Sequence, residues 1–286
     1  MKSIPFFVIL CLLLLCSCQS KLNNVEELKT KGKLFIIGGG KKSDKLVSEL
    51  IAVSSLNKEN FMVILPMASE EPDSAVYYTA KQFIGLGINS NKIKAFNFNR
   101  ISQPKVQIDS LKKASLIYIT GGDQNLFMKS VLNTPVYKAI HTAYQNGATI
   151  AGTSAGAAVM STKMISGNEL KHPTYTGEFH SIEAKNFELA TGLGLLPNAI
   201  IDQHFIYRMR MNRLLSVAME NPDYLGIGID ESTAIVVQGD DARVTGDSQV
   251  VIIRKTNKTN IHVKNGLLGS KDIRLEILLP GEKFKL

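Results

Sequence analysis

Ser154 lies at the centre of Gly152-Thr153-Ser154-Ala155-Gly156, directly after the apolar run Ala148-Thr149-Ile150-Ala151. A G-x-S-x-G pattern at the end of a buried strand marks a sharp strand-to-helix turn. Such a turn lifts the serine hydroxyl clear of the sheet and leaves the next backbone N–H free to hold an oxyanion. Small flanking residues are needed because a Cβ would clash in so tight a bend. The pattern alone is only moderately specific, since a Gly/Ser-rich structural turn has the same composition. A serine nucleophile also needs a base, and His204 ends a second apolar run, Asn198-Ala199-Ile200-Ile201, followed by Asp202-Gln203. Nucleophile and base at the ends of two strands can meet at one edge of a sheet. A third stretch, Gly121-Gly122-Asp123-Gln124, follows another buried run. Consecutive glycines let backbone N–H groups approach a substrate oxygen, so Gly122 and Ala155 are the expected oxyanion donors. Without Ser154, the same stretch would read as an ordinary turn with Asp123 as helix N-cap.

The elements that must position these groups alternate. Short β runs at 33–37, 61–65, 93–98, 116–120 and 148–151 are interleaved with helical apolar spacing over 45–56, 75–86, 126–132 and 136–145. This predicts an α/β fold, a mainly parallel sheet with helices on both faces. Beyond residue 233, short β runs separated by Gly239-Asp240-Asp241 and Gly246-Asp247-Ser248 are hairpin signals and predict an antiparallel C-terminal extension on the same domain. Gly38-Gly39-Gly40 invites a nucleotide-binding reading, but the full G-x-G-x-x-G is absent, so a strand-end turn is preferred. The stretch Tyr207-Arg208-Met209-Arg210-Met211-Asn212-Arg213 reads as the opening of a helix with three arginines. A solvated basic face is the usual explanation of such a run. These arginines, however, follow the histidine closely, and guanidinium forks suit substrate carboxylates.

Composition narrows the class. Met1-Lys2-Ser3 followed by an apolar run over 4–15 reads as a secretory signal, too short for a comfortable membrane span. Leu15-Cys16-Ser17-Cys18 resembles a bacterial lipobox, which implies cleavage before Cys18 and lipidation of its thiol. Gln19 stands where an inner-membrane retention aspartate would be. The expected layout is a leader at 1–17, a tether at 18–31 and one domain at 32–286. The expected location is the bacterial cell envelope, with an outer-membrane lipid anchor. All three cysteines, Cys11, Cys16 and Cys18, lie in the leader region. The domain therefore has no cysteine nucleophile and no thiolate metal site. His141, His172, His180 and His262 lack metal-ligand spacing, and no cofactor is expected. The formal charge of +8, or +7 without Lys2, is mostly scattered. It suits an anionic substrate or envelope surface better than nucleic acid.

Taken together, Gly121-Gly122-Asp123-Gln124, Gly152 to Ala157, Asp202-Gln203-His204-Phe205 with Arg208, Arg210, Arg213 and Leu214, and Gly226 to Glu231 with Thr233-Ala234 resemble cyanophycinases. These belong to the serine peptidase family that also contains aspartyl dipeptidase. The resemblance spans roughly residues 33–254 and implies a fold related to class I glutamine amidotransferases, with serine in place of their cysteine. It also implies a Ser154 nucleophile, a His204 base and a substrate site lined by Gln124, Asp202, Gln203, Arg208, Arg210 and Arg213. For the third triad member, Glu169 matches the acid of the dipeptidase branch. Glu178 and Glu183 remain candidates, because 164–190 reads as a variable loop.

The expected activity is hydrolysis of aspartyl or β-aspartyl peptide bonds in a peptide or aspartate-rich polymer, with β-aspartyl-arginine as the family's reference unit. An α-aspartyl dipeptidase or another acyl hydrolase is the enzymatic alternative. A non-catalytic surface binding lipoprotein is the alternative of a different class, and a homodimer is compatible with the sequence. An intact Ser154/His204 pair argues against the pure binder, which has no need of an elbow serine.

Overall fold

Residues Leu34-Phe35-Ile36-Ile37 are buried on both sides, and the period of two in a strand assigns them to two different cores. Leu34 and Ile36 pack with Ile108, Phe127, Val136 and Ala155. Phe35 and Ile37 pack with Leu46, Leu50 and Phe83 on the opposite face. A strand covered by helices on both faces has no solvent side, which is why its sequence is continuously apolar. The computed structural model describes residues 32–286 apart from 57, 58 and 175. The expected leader, tether and Cys18 lie outside the described residues.

In chain order the first half alternates as β1 (Lys33–Ile37), α1 (Asp44–Val53), β2 (Met62–Leu65), α2 (Pro72–Gly85), β3 (Ile93–Ala95), α3 (Lys105–Leu111), β4 (Leu116–Ile119), α4 (Gln124–Val131), α5 (Pro135–Gln145), β5 (Thr149–Thr153) and α6 (Ala155–Ala158). The second half runs β6 (Lys163–Glu169), β7 (Phe187–Thr191), β8 (Ala199–Gln203), α7 (Met211–Glu220), β9 (Leu225–Ile229), β10 (Thr233–Gln238), β11 (Asp241–Gly246), β12 (Val250–Arg254), β13 (Asn260–Lys264), β14 (Leu267–Lys271), β15 (Arg274–Leu278) and β16 (Lys283–Lys285). The fold is mixed α/β around a central, mostly parallel sheet in the order β16-β11-β10-β1-β5-β4-β2-β3. Strands β1, β5, β4, β2 and β3 pair in parallel, whereas β10, β11 and β16 pair antiparallel.

Three expectations change. The antiparallel strands of the C-terminal third are shared among three sheets, β13 and β14 forming a two-stranded one of their own. While β10, β11 and β16 widen the central sheet, β12 and β15 join β9 and β8 in a separate four-stranded sheet. The expected loop over 164–190 contains a hairpin, since β6 and β7 pair antiparallel with a register shift between Ile165 and Glu169. Residues 205–210 form consecutive turns, and helix α7 starts only at Met211. That helix carries Arg213 alone of the three arginines.

Candidate active site

The serine stands in a conformation L-residues seldom adopt. Ser154 follows β5 with φ 53° and ψ −111°, a backbone state costing of order 1–3 kcal/mol that clusters at functional turns. Its N–H donates to Ile37 O at 3.0 Å, and its carbonyl accepts from the Ala157 and Ala158 N–H groups, starting α6. Both flanking glycines are required by contact. A Cβ on Gly152 would lie 2.1 Å from Gly156 O, and one on Gly156 would lie 2.4 Å from Ile119 O.

His204 arrives from the other sheet. It follows β8 with φ 52°, and its N–H donates to Gly38 O at 2.8 Å. Its Nε2 is 2.8 Å from Ser154 Oγ, and its Nδ1 is 2.5 Å from Glu231 Oε1. An ionised carboxylate only accepts, so Nδ1 carries the ring proton and Nε2 is left to accept from the serine hydroxyl. Glu231 sits in the turn between β9 and β10, where the next N–H, from Ser232, donates to Gly39 O at 3.0 Å. Three successive carbonyls at the end of β1, those of Ile37, Gly38 and Gly39, thus fix the segments bearing Ser154, His204 and Glu231. A Cβ on Gly39, whose φ is 118°, would fall 2.3 Å from His204 Cε1. The glycine run at 38–40 is therefore the seat of the imidazole.

Gly121 and Gly122 pass beside the serine. A Cβ on Gly121 would lie 3.9 Å from Ser154 Oγ, and Gly122 has φ 135°. Among the described residues no hydrogen bond engages the Gly122 or Ala155 N–H. Both are available as donors to a developing oxyanion. The imidazole is buried, and burial is the main cause that holds the His204 pKa below the ordinary histidine value. The Glu231 hydrogen bond and charge oppose this shift, while the Arg208 and Arg210 charges add to it. The balance leaves the ring neutral and able to take a proton near neutral pH. Among the described residues no group of three or more His, Cys, Asp or Glu converges to hold a metal ion.

The remaining expected residues divide. Glu169 does not supply the histidine's carboxylate partner; it ends β6 and accepts from Asn186 Nδ2 at 2.7 Å. Glu183 pairs with His172 and Glu178 with His180, so neither alternative lies on His204. The reason is topological: the 164–190 segment forms a hairpin with its own partners, while the β9–β10 turn delivers a carboxylate beneath the ring. Glu231 closes the Gly226 to Glu231 stretch of the family resemblance, which by itself gives it no role. Its signal was position, a carboxylate just past the apolar run Leu225–Ile229.

Asp202 is fully buried and receives Arg213 Nε at 2.9 Å, with Nη2 on its other oxygen. Arg210 lies 3.8 Å from Asp202 and donates from Nη1 to Gln203 O at 2.6 Å. Asp202, Arg210 and Arg213 form a buried network behind β8 and are not placed as a surface for substrate. Arg208, by contrast, is exposed. The Gln124 amide nitrogen is engaged by Ile165 O and Ser166 O, both at 2.8 Å, so this side chain ties α4 to β6. Gln203 Oε1 is buried without a hydrogen-bond partner among the described residues.

Comparison with known proteins identifies the family. The family model described as peptidase family S51 matches residues 34–245. A cyanophycinase from Trichormus variabilis is 34% identical over 267 residues, covering 90% of this chain and 86% of its own. One from Synechococcus elongatus is 31% identical, covering 90% and 80%. A peptidase E from Actinobacillus pleuropneumoniae is 26% identical over 53% of this chain and 62% of its own. Among solved structures, a peptidase from an acI-B1 actinobacterium superposes with a TM-score of 0.64 at 24% identity, covering 90% of this chain and 98% of that one. A putative peptidase E from Listeria monocytogenes gives 0.52 at 18%, covering 76% and 99%. At these identities the two structures speak to fold alone. With a serine held against a buried histidine and a family model spanning most of the domain, the chain belongs to peptidase family S51 and is a serine-type peptidase.

Proposed function

We propose that the protein hydrolyses aspartyl or β-aspartyl peptide bonds through a Ser154–His204–Glu231 triad and an acyl-enzyme. The observation that carries this reading is the unbroken chain from Ser154 Oγ to His204 Nε2 and from His204 Nδ1 to Glu231. In acylation Ser154 Oγ attacks the scissile carbonyl while Nε2 takes its proton. The carbonyl oxygen becomes an oxyanion held by the Gly122 and Ala155 N–H groups. His204 then returns the proton to the leaving amine, and water repeats the sequence to release the acid. Glu231 holds the ring tautomer and stabilises the imidazolium without itself being protonated. An acidic substrate is supported by Arg208, the exposed cation nearest this histidine in sequence, while Gln203 Oε1 is a buried acceptor that a substrate N–H could satisfy.

Cyanophycinase relatives covering 90% of the chain favour the β-aspartyl reading over the α-aspartyl dipeptidase, whose likeness covers about half. Kinship with class I glutamine amidotransferases and lipid anchoring through Cys18 belong to the same proposal. The first is supported by the serine elbow on a mostly parallel sheet, the second by the lipobox-like Leu15-Cys16-Ser17-Cys18. The deciding experiment treats wild-type and Ser154→Ala protein with a fluorophosphonate probe and with α- and β-linked aspartyl peptides. Wild type should label at Ser154 and cleave, and the variant should do neither. Near-normal turnover by the variant would overturn the mechanism.

A further inference from the structure

The β6–β7 hairpin is bulged where it meets the oxyanion segment. Ile165 pairs with Leu189 and Glu169 with Phe187, so Ser166, Gly167 and Asn168 face the single residue Glu188. A bulge bends its strand and re-aims side chains, and bulges gather beside functional sites. Gly167 permits this one with a φ of 102°. The bulge is fastened to the segment that carries the Gly122 N–H. Gln124 follows Gly122-Asp123 directly and donates from Nε2 to Ile165 O and Ser166 O, both at 2.8 Å. Asn125 Nδ2 adds a bond to Ser166 O at 3.1 Å. On its other side the strand leans on β8, because Ile165 and Ile200 share one apolar cluster. The bulge therefore stands between the oxyanion glycines and the strand that delivers His204.

Within the bulge a carboxylate is held firmly and left without a counter-charge. Glu188 Oε2 accepts from Ser166 Oγ at 2.7 Å and from Asn168 Nδ2 at 2.8 Å. Ser166 is buried, and its Oγ also accepts from the Asn168 N–H at 3.2 Å. The Ser166 bond first and the Asn168 bond second hold the Glu188 pKa below the ordinary glutamate value, which keeps the group ionised near neutral pH. Both bonds fall on one oxygen. Among the described residues no hydrogen bond engages Oε1, and no Lys, Arg or His pairs with this carboxylate. Closing the bulge accounts for Oε2 alone. An ionised group fixed in place with one oxygen unused suits a cation that arrives with the substrate.

We infer that Glu188 is a specificity-determining residue, accepting through Oε1 the guanidinium of the residue that cleavage releases. This rests on the proposed aspartyl-peptide reading and deepens it by naming the group that recognises the basic half of the substrate. Charge assigns the half. A carboxylate repels the acidic aspartyl part, to which the exposed Arg208 is suited, so Glu188 serves the departing residue. Ser166 and Asn168 are positioning residues that aim the carboxylate. A planar guanidinium matches a carboxylate better than an ammonium does, so arginine should be preferred to lysine. Glu188 is only half-buried. Its effect therefore belongs with exposed ion pairs, about five-fold in kcat/KM.

The test uses α- and β-linked aspartyl dipeptides ending in arginine, lysine or citrulline, the last keeping the shape of arginine without its charge. Within each linkage series they form the same acyl-enzyme, so kcat/KM differences report the leaving residue. Wild type should favour arginine over citrulline by about five-fold, with lysine between them, and the ratio should shrink with added salt. Glu188→Gln should bring the ratio to one, and Glu188→Lys should take it below one. Asn168→Ala, which frees the carboxylate from one of its two holders, should lose part of the preference. Each ratio is measured on one sample, so a variant that is partly unfolded still reports it. Equal rates for arginine and citrulline in wild type would overturn the assignment. So would a preference that survives Glu188→Gln, or a loss in that variant that is equal for both peptides and marks Glu188 as a support of the hairpin alone. Failure of the fluorophosphonate probe to label wild-type Ser154 would identify the underlying mechanism, not the subsite, as the error.

Discussion

At the scale of single residues, the competition is between carboxylates. Glu231 contacts the imidazole and Glu169 contacts Asn186, so the two make opposite predictions. Glu231→Gln keeps the shape but can present an amide N–H where the ring needs an acceptor, favouring the wrong tautomer. It should lower kcat by about two to four orders of magnitude, whereas Glu169→Gln should change it by less than about ten-fold. Steady-state rates on one aspartyl peptide decide between them, and the reverse order would restore Glu169. The histidine's environment also sets a pH signature. Burial depresses its pKa and the Arg208 charge depresses it further. The acid limb of kcat/KM should therefore fall below the ordinary histidine value of 6.5. Removing a nearby positive charge makes the imidazolium easier to form, so Arg208→Ala should move that limb to higher pH. The move should shrink with added salt, because an exposed charge is screened. An unchanged or lower midpoint would show that Arg208 does not act on the ring.

At the scale of elements, the end of β1 organises the site, and β8 brings the histidine to it from a separate sheet. The strand β8 is backed by the Asp202–Arg213 pair, with the Arg213 guanidinium 5.0 Å from the centre of the Phe179 ring. Breaking one side of so buried a pair leaves an uncompensated charge, at a cost of about 3–5 kcal/mol. Arg213→Met should thus lower the midpoint of urea unfolding sharply. Asp202→Asn together with Arg213→Met should recover part of the loss, since the stranded charge is then gone. If Arg213 instead served substrate at the surface, the single variant would raise KM and leave the midpoint unmoved. Gly39 offers a second test of the seat. Gly39→Ala meets both a positive φ of 118° and the imidazole ring. It should depress kcat far more than a conservative change elsewhere in the 38–40 turn, even when the protein is folded by circular dichroism.

At the scale of the whole molecule, the described residues contain no helix long and apolar enough to cross a membrane. The proposed envelope attachment is through Cys18. One acyl chain holds weakly and several hold stably. Cys18→Ser should release the protein from the membrane fraction or block its maturation, and membrane association without incorporated palmitate label would exclude lipidation.

What the amino-acid sequence determined by itself was local and periodic. Continuous apolar runs predicted the parallel strands, because a strand covered on both faces has no polar side. The serine elbow, the glycine pair at 121–122 and the histidine after β8 were legible because each depends on residues adjacent in the chain. Tertiary structure decided what depends on distant segments. Glu231 reaches His204 across 27 positions, and no spacing rule separates it from Glu169 until β9 and β10 are placed. The inward turn of Arg210 and Arg213 depended on a buried Asp202, because a charge excluded from water must find its partner inside. The three glycines at 38–40 looked like a plain strand end, and only the meeting of the two sheets showed why no side chain fits there.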